Sequence, residues 1–459
     1  MQNTIKMNSA LLASAVVAAL AGLLFGFDTA VIAGVTKPLS KIYALSEWGQ
    51  GFTVSIALWG TMLGAAFASF PADKIGRRDS LKITGALFLL SAIGCAFAWD
   101  WHSMLFFRFV GGVGIGIASV IAPMYIAEIA PAKFRGVFVA TFQGNIVFGI
   151  LLAYFSNYIV SLCGFNPDLT EWRIKLGVEA LPAFLFLVLL FFVGRSPYWL
   201  LKVGRKSEAV AVLERISPDF VSETVLEIEK SIEETGRLGN SSLFCKVFFY
   251  PVFLAFSISF FNQFSGINAV LYYINDIFAK AGLDGNLSAV VVGSANLLFT
   301  VLAMFLIDRL GRKTLLLIGA AGTSLMLFLS GFILQTQAAQ WALVYVLSIY
   351  IAFFAVSQGA VIWVYISEIF PVSVRAKGVS FGASAHWVFC SVIALVFPIL
   401  AALDGADFGI DGVRLNGSFP FYLFCLMTLV QFAVVFVFYP ETKGVPLELV
   451  REKMKFGKN

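Results

Sequence analysis

About twelve apolar stretches, each close to 20 residues long, run through this chain of 459 residues. A helix of roughly 20 apolar residues spans the hydrocarbon core of a bilayer. The composition agrees, because 59% of the residues are hydrophobic and only 13% are charged, against about 25% charged residues in ordinary soluble domains. We therefore expect an all-α membrane protein with twelve transmembrane helices.

Lysine and arginine residues are concentrated in alternate loops. If the N-terminus lies inside, roughly 25 of the 32 Lys and Arg residues fall in inside loops and about 6 in outside loops. This asymmetry predicts a multi-pass protein of the plasma membrane, the inner membrane of a bacterium, with both termini in the cytoplasm. The basic residues follow the loops and form no single face, so nucleic acid is not an expected partner.

One long polar segment divides the apolar stretches into two sets of six. Its apolar residues recur at helical spacing and predict short amphipathic helices. We therefore expect a six-helix bundle over residues 1–195, a cytoplasmic helical linker over 196–246, a second six-helix bundle over 247–440 and a cytoplasmic tail over 441–459.

The two halves repeat the same charged motifs after corresponding stretches. DKIGRR at 73–78 is matched by DRLGRK at 308–313, and YIAEIAP at 125–131 by YISEIFP at 365–371. In both halves an arginine follows the glutamate of the second motif after seven residues. A repeat of this kind usually places the substrate between the halves, near the bilayer midplane.

These motifs join carboxylates to guanidinium groups near helix ends, where arginine can hold a carboxylate through two parallel hydrogen bonds. We expect them to form a cytoplasmic clasp that favours the outward-open state. Control of topology by loop cations is the alternative, but it needs no acids. The expected clasp pairs are Asp73 with Arg77 and Arg78, Glu128 with Arg135, Asp308 with Arg312, and Glu368 with Arg375.

The motifs resemble those of the sugar porter family of the major facilitator superfamily, over essentially the whole chain. SPYWL at 196–200, QFSGIN at 263–268 and PETKG at 440–444 narrow the resemblance to bacterial proton-coupled pentose or hexose symporters. It implies the major facilitator fold of two six-helix bundles and secondary active transport of a monosaccharide with protons. The expected partners are therefore the sugar, protons and the lipid bilayer.

We expect no cofactor, no bound metal and no enzymatic activity. The chain has two histidines and no cluster of nucleophile, base and metal ligands from which to build a catalytic site. We also expect the monomer to be the functional unit.

Amide side chains suit sugar hydroxyls, because they donate and accept hydrogen bonds without being charged. Gln263 and Asn268 are five residues apart, so they lie within about 140 degrees on a helix and can border one cavity. In the resembled family, the positions matching Gln143, Gln263, Asn268 and Asn296 hydrogen-bond the sugar. Hydrogen bonding between helices is the alternative, and it is the role we expect for Asn145.

The resemblance also assigns aromatic residues. Trp363 and Trp387 match family positions that line the sugar cavity, and Tyr272 and Tyr273 match a gate on the extracellular side. Phe25, three residues before Asp28, is also expected to face the site.

The chain departs from the family pattern at two of the expected sugar-binding positions. Asn262 stands where the family often has a glutamine, and His386 stands where an amide is common. We count both as sugar-binding residues, although His386 has two alternatives, a pH-sensitive group and a packed neutral ring. These departures leave the identity of the sugar open.

Asp28 interrupts the first apolar stretch, and Arg108 interrupts the fourth. A charged side chain at bilayer depth costs about 3 kcal/mol or more, and such residues are usually functional. The two match the coupling acid and its arginine partner in the symporters. We therefore expect Asp28 to take up the coupled proton, with a structural ion pair as the alternative. Glu179 is a second candidate, placed near the outer surface.

Two other functions remain open. A facilitative uniporter for a sugar or polyol would share the fold, although facilitative relatives tend to have a neutral amide at the position of Asp28. A transporter-like sugar sensor would be expected to carry a long signalling tail, whereas only about 20 residues follow the last apolar stretch.

Overall fold

The computed structural model describes residues 9–131, 135–216, 218–237, 243–371, 374–409 and 413–443. These residues are mostly helical, and none of them lies in a strand. The α-helices are α1 (Ser9–Val31), α2 (Thr36–Ile42), α3 (Glu47–Phe67), α4 (Ser69–Lys74), α5 (Arg77–Ala96), α6 (Trp101–Ile129), α7 (Arg135–Leu162), α8 (Trp172–Gly177), α9 (Ala180–Leu189), α10 (Pro197–Lys202), α11 (Lys206–Ile216), α12 (Val221–Arg237), α13 (Phe249–Phe264), α14 (Ile267–Tyr272), α15 (Ile274–Lys280), α16 (Gly285–Leu310), α17 (Arg312–Thr336), α18 (Leu343–Phe354), α19 (Ala360–Ile369), α20 (Arg375–Ala402) and α21 (Phe419–Phe438). Short 3₁₀ turns cover Ile32–Gly34, Pro218–Phe220, Lys246–Phe248, Gln340–Ala342 and Gly405–Phe408, and π-helical turns cover Pro167–Glu171 and Ala355–Gly359.

Eleven helical segments in the described part of the chain are long and apolar enough to cross a membrane. The sixth of the expected twelve spans is divided, because α8 ends at Gly177 and α9 begins at Ala180. Neither piece reaches the roughly 20 residues that a span needs. The all-α membrane fold predicted from the sequence is confirmed.

The chain forms two compact units. Unit 1 comprises Met1–Thr29, Gly60–Ile150 and Leu176–Asn240, and unit 2 comprises Ala30–Trp59, Leu151–Lys175 and Ser241–Asn459. The boundaries cut through α1, α3 and α7, so each of these helices contributes residues to both units. The division into bundles over residues 1–195 and 247–440 stays a prediction.

Unit 1 packs its helices closely at glycines. A Cβ atom at Gly26 of α1 would lie 1.9 Å from the carbonyl oxygen of Ile146 in α7. Small residues allow membrane helices to approach in this way without side chains between the backbones. This approach fixes the segment of α1 that carries Asp28.

Unit 2 joins the ends of first-half helices to helices of the second half. Tyr154 donates a hydrogen bond from its hydroxyl to the Leu271 carbonyl at 2.7 Å, and Gln50 Nε2 donates to Asp276 Oδ2 at 3.1 Å. A Cβ at Gly51 would lie 2.0 Å from the carbonyl oxygen of Leu395, so these backbones are in contact. We call this set the seam: Gln50, Gly51, Tyr154, Leu271, Asp276 and Leu395.

Candidate functional site

An ion pair is buried within unit 1. Arg108 Nη1 of α6 donates to Asp28 Oδ1 of α1 at 2.9 Å, and each side chain is only 3% exposed. The same nitrogen lies 3.4 Å from the carbonyl oxygen of Asp28. The two ionisable residues that the sequence placed on different spans are therefore direct partners.

A second carboxyl group joins this pair. Glu179 lies in the break between α8 and α9, is 3% exposed, and interacts electrostatically with both Asp28 and Arg108. The sequence offered Glu179 only as a second candidate near the outer surface, and its place beside Asp28 was not anticipated. The signal was nonetheless present, since Glu179 is an acid within an apolar stretch, as Asp28 is.

Two carboxyl groups and one guanidinium can hold a proton. With all three groups ionised, the buried set carries one excess negative charge, which is costly in a low-dielectric interior. Adding one proton to either carboxyl leaves a neutral set. One carboxylate oxygen, Asp28 Oδ2, is buried with no hydrogen-bond partner among the residues described. The arrangement is thus suited to taking up and releasing a single proton.

An amide cluster occupies unit 2. Gln263 Nε2 donates to Asn262 Oδ1 at 3.0 Å, and Asn268 Nδ2 donates to Gln263 Oε1 at 2.8 Å. The helix breaks between them, because Gly266 adopts a left-handed conformation with φ 85° between α13 and α14. Asn268 Nδ2 also lies 3.2 Å from Cys390 Sγ, a contact that the sequence did not suggest.

Aromatic rings surround His386 beside these amides. The ring centroid of His386 lies 5.0 Å from that of Trp363 and 5.2 Å from that of Trp387. Gln263 Nε2 is 3.4 Å from His386 Nδ1 and 3.3 Å from Nε2. These nearly equal distances place the amide over the ring face, the geometry of a weak N–H···π contact. The structure therefore brings together Asn262, Gln263, Asn268, Trp363, His386 and Trp387, and their binding of a sugar stays a prediction.

The two tyrosines expected at a gate are both buried. The Tyr272 hydroxyl lies 3.6 Å from Cys390 Sγ. The Tyr273 hydroxyl donates to the Ala394 carbonyl at 2.8 Å, and its ring stacks on Phe397. Tyr272 thus contacts the cysteine that Asn268 also contacts, which links the gate position to the amide cluster.

The remaining sugar-site predictions are not brought into this cluster. Asn296 of α16 is buried and accepts a hydrogen bond from Thr300 one turn later. Gln143 and Phe25 are partly buried in unit 1, so a common cavity with unit 2 stays a prediction. Asn145 donates to the Thr141 carbonyl of its own helix at 2.9 Å, and this bond is not the interhelical one we expected.

The repeated charged motifs form one ion-pair cluster in each unit. In unit 1, Arg77 Nε donates to Glu128 Oε1 at 2.9 Å and Nη1 lies 3.5 Å from Asp73 Oδ1. The Ser196 hydroxyl also donates to Glu128. Arg78 pairs with Asp79 at 2.8 Å, and this pairing differs from the expected one with Asp73.

The corresponding cluster of unit 2 corrects a second expected pairing. Arg312 Nη2 lies 2.9 Å from Glu368 Oε1, and Thr442 donates to Glu368 Oε2 at 2.6 Å. Arg375 donates instead to the Phe370 carbonyl at 3.3 Å, so its expected pairing with Glu368 is wrong. The physical reason is that the Arg375 side chain turns back to bond an unpaired carbonyl near the end of α19.

Two of the expected clasp side chains cannot be placed. The side chains of Arg135 and Asp308 lie outside the described residues, as does the tail from residue 444 onward. A role of these charged clusters in closing the cytoplasmic side stays a prediction.

Glu441 belongs to the PETKG motif and caps α17. Its carboxylate accepts from the backbone N–H groups of Arg312 at 2.9 Å and Lys313 at 3.0 Å. Burial raises the pKa of this carboxyl. Backbone hydrogen bonds from Lys443, Arg312 and Lys313 lower it by more than burial raises it, so the pKa lies below its usual value. A carboxylate at a helix N-terminus is stabilised in the same way by the helix dipole.

The fold and the buried acid–base group define a membrane transporter of the major facilitator type. A family model described as sugar (and other) transporter matches residues 14–454, and the chain belongs to this family. It is 35% identical to the D-xylose-proton symporter of Escherichia coli K12, an alignment that covers 97% of this chain and 96% of that protein.

Solved structures agree with this assignment. The xylose transporter XylE from E. coli, in a partially occluded inward-open conformation, matches with a TM-score of 0.84 and 33% identity over 96% of this chain and 100% of that chain. The same transporter bound to 6-bromo-6-deoxy-D-glucose matches with a TM-score of 0.78 and 34% identity over 97% and 99%.

Proposed function

We propose that this protein carries a monosaccharide into the cell together with a proton, by alternating access. The observation that carries the proposal is the buried set of Asp28, Glu179 and Arg108. A facilitator that moves sugar alone has no need of two buried acids around one arginine, and burying them is expensive.

The ion pair offers a simple coupling mechanism. While Asp28 is ionised, its hydrogen bond to Arg108 holds α1 to α6 and opposes rearrangement of unit 1. A proton on one of the carboxyls weakens that attraction and favours sugar binding from the outer side. The sugar is then released inside, and the proton leaves after it. Inward movement of the sugar is thus coupled to the proton, because the sugar-loaded protein rearranges readily only when the proton is also bound.

The substrate is a neutral pentose or hexose. The amides of Asn262, Gln263 and Asn268 supply donors and acceptors in pairs, and the indoles of Trp363 and Trp387 supply apolar faces for the sugar ring. The relatives are named for xylose, and one solved structure holds a glucose analogue. These names support a monosaccharide and leave the choice between pentose and hexose to measurement.

Uptake into proteoliposomes tests this function. A panel of labelled pentoses, hexoses and a cyclitol should show at least one sugar that accumulates above its external concentration when the outside is acidic. Equilibration without accumulation, with or without a pH gradient, would identify a facilitator. Absence of any uptake, with sugar binding preserved, would favour a sensor.

We further propose that both termini and the segment between α9 and α13 face the cytoplasm, in keeping with the distribution of basic residues. A membrane-impermeant thiol reagent added to intact cells should label Asp407→Cys and spare Phe220→Cys, in a background without native cysteines. Permeabilised cells, in which both positions should react, provide the control. Labelling of Phe220→Cys in intact cells would reverse the assignment.

Gln263→Ala should weaken sugar binding by about 1–3 kcal/mol, the usual effect of leaving buried polar groups unpaired. The substitution removes the partner of both Asn262 and Asn268 as well as a donor for the sugar. Titration calorimetry on the purified protein measures the effect. Asn145→Ala is the matched control, because Asn145 bonds only within α7 in the interactions shown, and its affinity should stay unchanged. Equal affinities in both variants would place the sugar elsewhere.

A further inference from the structure

A carboxyl group lies within the seam, away from the amide cluster. Asp276 occupies the first turn of α15, beyond the apolar span Phe249–Tyr272. Its Oδ2 accepts from Gln50 Nε2 at 3.1 Å, and Gln50 lies in the first turn of α3, 226 residues earlier in the chain. This hydrogen bond therefore connects a helix of the first half to a helix of the second half inside unit 2.

The other oxygen of this carboxyl group is buried. Asp276 Oδ1 has no hydrogen-bond partner within bonding distance among the residues that the structure describes. The carboxyl faces a cavity of about 190 Å³, which has room for several water molecules. Polar and charged side chains around this cavity are Glu47, Gln50, Tyr273, Asp276 and Lys280. Water in such a cavity gives protons a route to the carboxyl.

The charged groups around Asp276 come from three helices. Lys37 of α2 and Lys280 of α15 attract its ionised form, which the nearby Thr36 also favours. Glu47 of α3 shares the cavity, and Tyr273 lies on the adjoining turn. The contact of α15 with α16 next to Asp276 is neutral, because Asn275 donates to Asn286 Oδ1 at 2.7 Å. Burial raises the pKa of Asp276 from its ordinary value of 3.8 to about 6, against the lowering effects of Thr36, Lys37 and Lys280.

We propose that Asp276 is a second proton-linked residue of the transport cycle, whose protonation stabilises the closed seam. This proposal rests on the proposed function, since it assumes that the seam opens and closes during transport. It assigns to the seam a proton site separate from the set around Asp28.

The direction of the effect follows from linkage. When the seam opens, Asp276 meets water and its pKa falls toward 3.8 from about 6 in the closed seam. The state with the higher pKa is favoured when the group is protonated. The closed seam is therefore favoured at low pH and loses that advantage as the pH rises through about 6. A shift of this size changes the ratio of closed to open seam by up to about 100-fold.

The effect would help directional uptake. When the exterior is acidic, Asp276 takes up a proton as the seam closes over a loaded site, because its pKa rises from near 3.8 to about 6 on burial. A higher external pH leaves the carboxylate charged, and closing the seam then requires its desolvation.

Distance measurements between spin labels test the proposal on the full-length protein. Labels at Trp48→Cys of α3 and Leu287→Cys of α16, both exposed positions, report the width of the seam. Exposed native cysteines, Cys163 and Cys245, and the partly buried Cys425 are replaced first. The measurement is made in an Asp28→Asn background, so that the coupling acid does not titrate.

The closed fraction should fall as the pH is raised from 4 to 7, with its midpoint between the open-seam pKa near 3.8 and the closed-seam pKa of about 6. Asp276→Asn should remove this pH dependence and keep the seam largely closed, and Asp276→Glu should restore a pH dependence. Glu47→Gln, a matched carboxyl-to-amide change in the same cavity, should keep the midpoint.

Two results would overturn the proposal. A pH dependence that persists in Asp276→Asn would show that another group titrates, and its loss in Glu47→Gln would assign the effect to Glu47. Sugar uptake by the parent protein is measured separately, so failure of the transport function is distinguishable from failure of the Asp276 role.

Discussion

Asp28→Asn should abolish accumulation of sugar against its gradient while leaving sugar binding intact. The asparagine side chain is neutral and of the same shape, so it imitates a permanently protonated acid beside Arg108 and Glu179. The protein can then rearrange without taking up a proton, and the driving force of the pH gradient is lost. Proteoliposomes with an acidic exterior should fill only to equilibrium, and exchange of labelled for unlabelled sugar should continue.

Matched variants make this result specific. Glu227→Gln changes an exposed carboxyl of α12 to an amide and should leave accumulation unchanged. Glu179→Gln tests the second acid and should also impair accumulation. If Asp28→Asn vesicles still concentrate sugar, the proton is carried by another group, with Glu179 the first to examine.

Gly51→Ala should reduce net uptake by roughly 5–150-fold, the range that corresponds to an unfavourable closing energy of 1–3 kcal/mol. A Cβ at this position would lie 2.0 Å from the Leu395 carbonyl oxygen, so the two backbones would have to separate. The helix itself should not suffer, because alanine favours a helix over glycine by up to about 1 kcal/mol. Sugar binding from the open side and thermal stability should therefore persist.

Gly49→Ala is the control for this variant. It lies in the same turn of α3, and a Cβ there would meet only the Leu45 side chain, at 3.2 Å. Uptake by Gly49→Ala should be close to that of the parent protein. Equal uptake by the two glycine variants would mean that Gly51 and Leu395 need not approach during transport.

The sequence predicted the all-α membrane fold because apolar length alone determines whether a segment can span a bilayer. It predicted the Asp28–Arg108 pair for a related reason, since a charge in an apolar stretch needs a partner. The proximity of Gln263 and Asn268 was expected from the helix period, but the structure brings them together across the break at Gly266.

Other contacts depend on packing that no local pattern encodes. Glu179, in the break between α8 and α9, interacts with Asp28, and Cys390 of α20 contacts Asn268. The pairing of Glu368 was predicted wrongly because sequence spacing favoured Arg375, whereas Arg312 of a different helix reaches it. Distances between helices decide such pairs, and spacing along one segment does not.

The π-helical turn at Ala355–Gly359 shows the same limit. The sequence of this turn contains no proline and ends in Gly359. In the structure, Ser357 of this turn packs directly against Gly319 of α17. A Cβ atom at Gly319 would lie 1.8 Å from the Ser357 hydroxyl oxygen. A missing side chain on α17 therefore accommodates the turn, and that relation is visible only once both helices are placed.

The division of α1, α3 and α7 between two units has a consequence for biosynthesis. Unit 1 ends at Asn240, so all of its residues have been synthesised when little more than half of the chain has left the ribosome. Unit 2 also contains Ser241–Asn459, so Gln50 and Tyr154 are synthesised well before Asp276 and Leu271, the residues that they bond. Domains generally fold as units during synthesis. A nascent chain stalled near residue 240 should therefore contain all three residues of the acid–base group, Asp28, Arg108 and Glu179. The ends of α3 and α7 should still lack their partners from the second half of the chain.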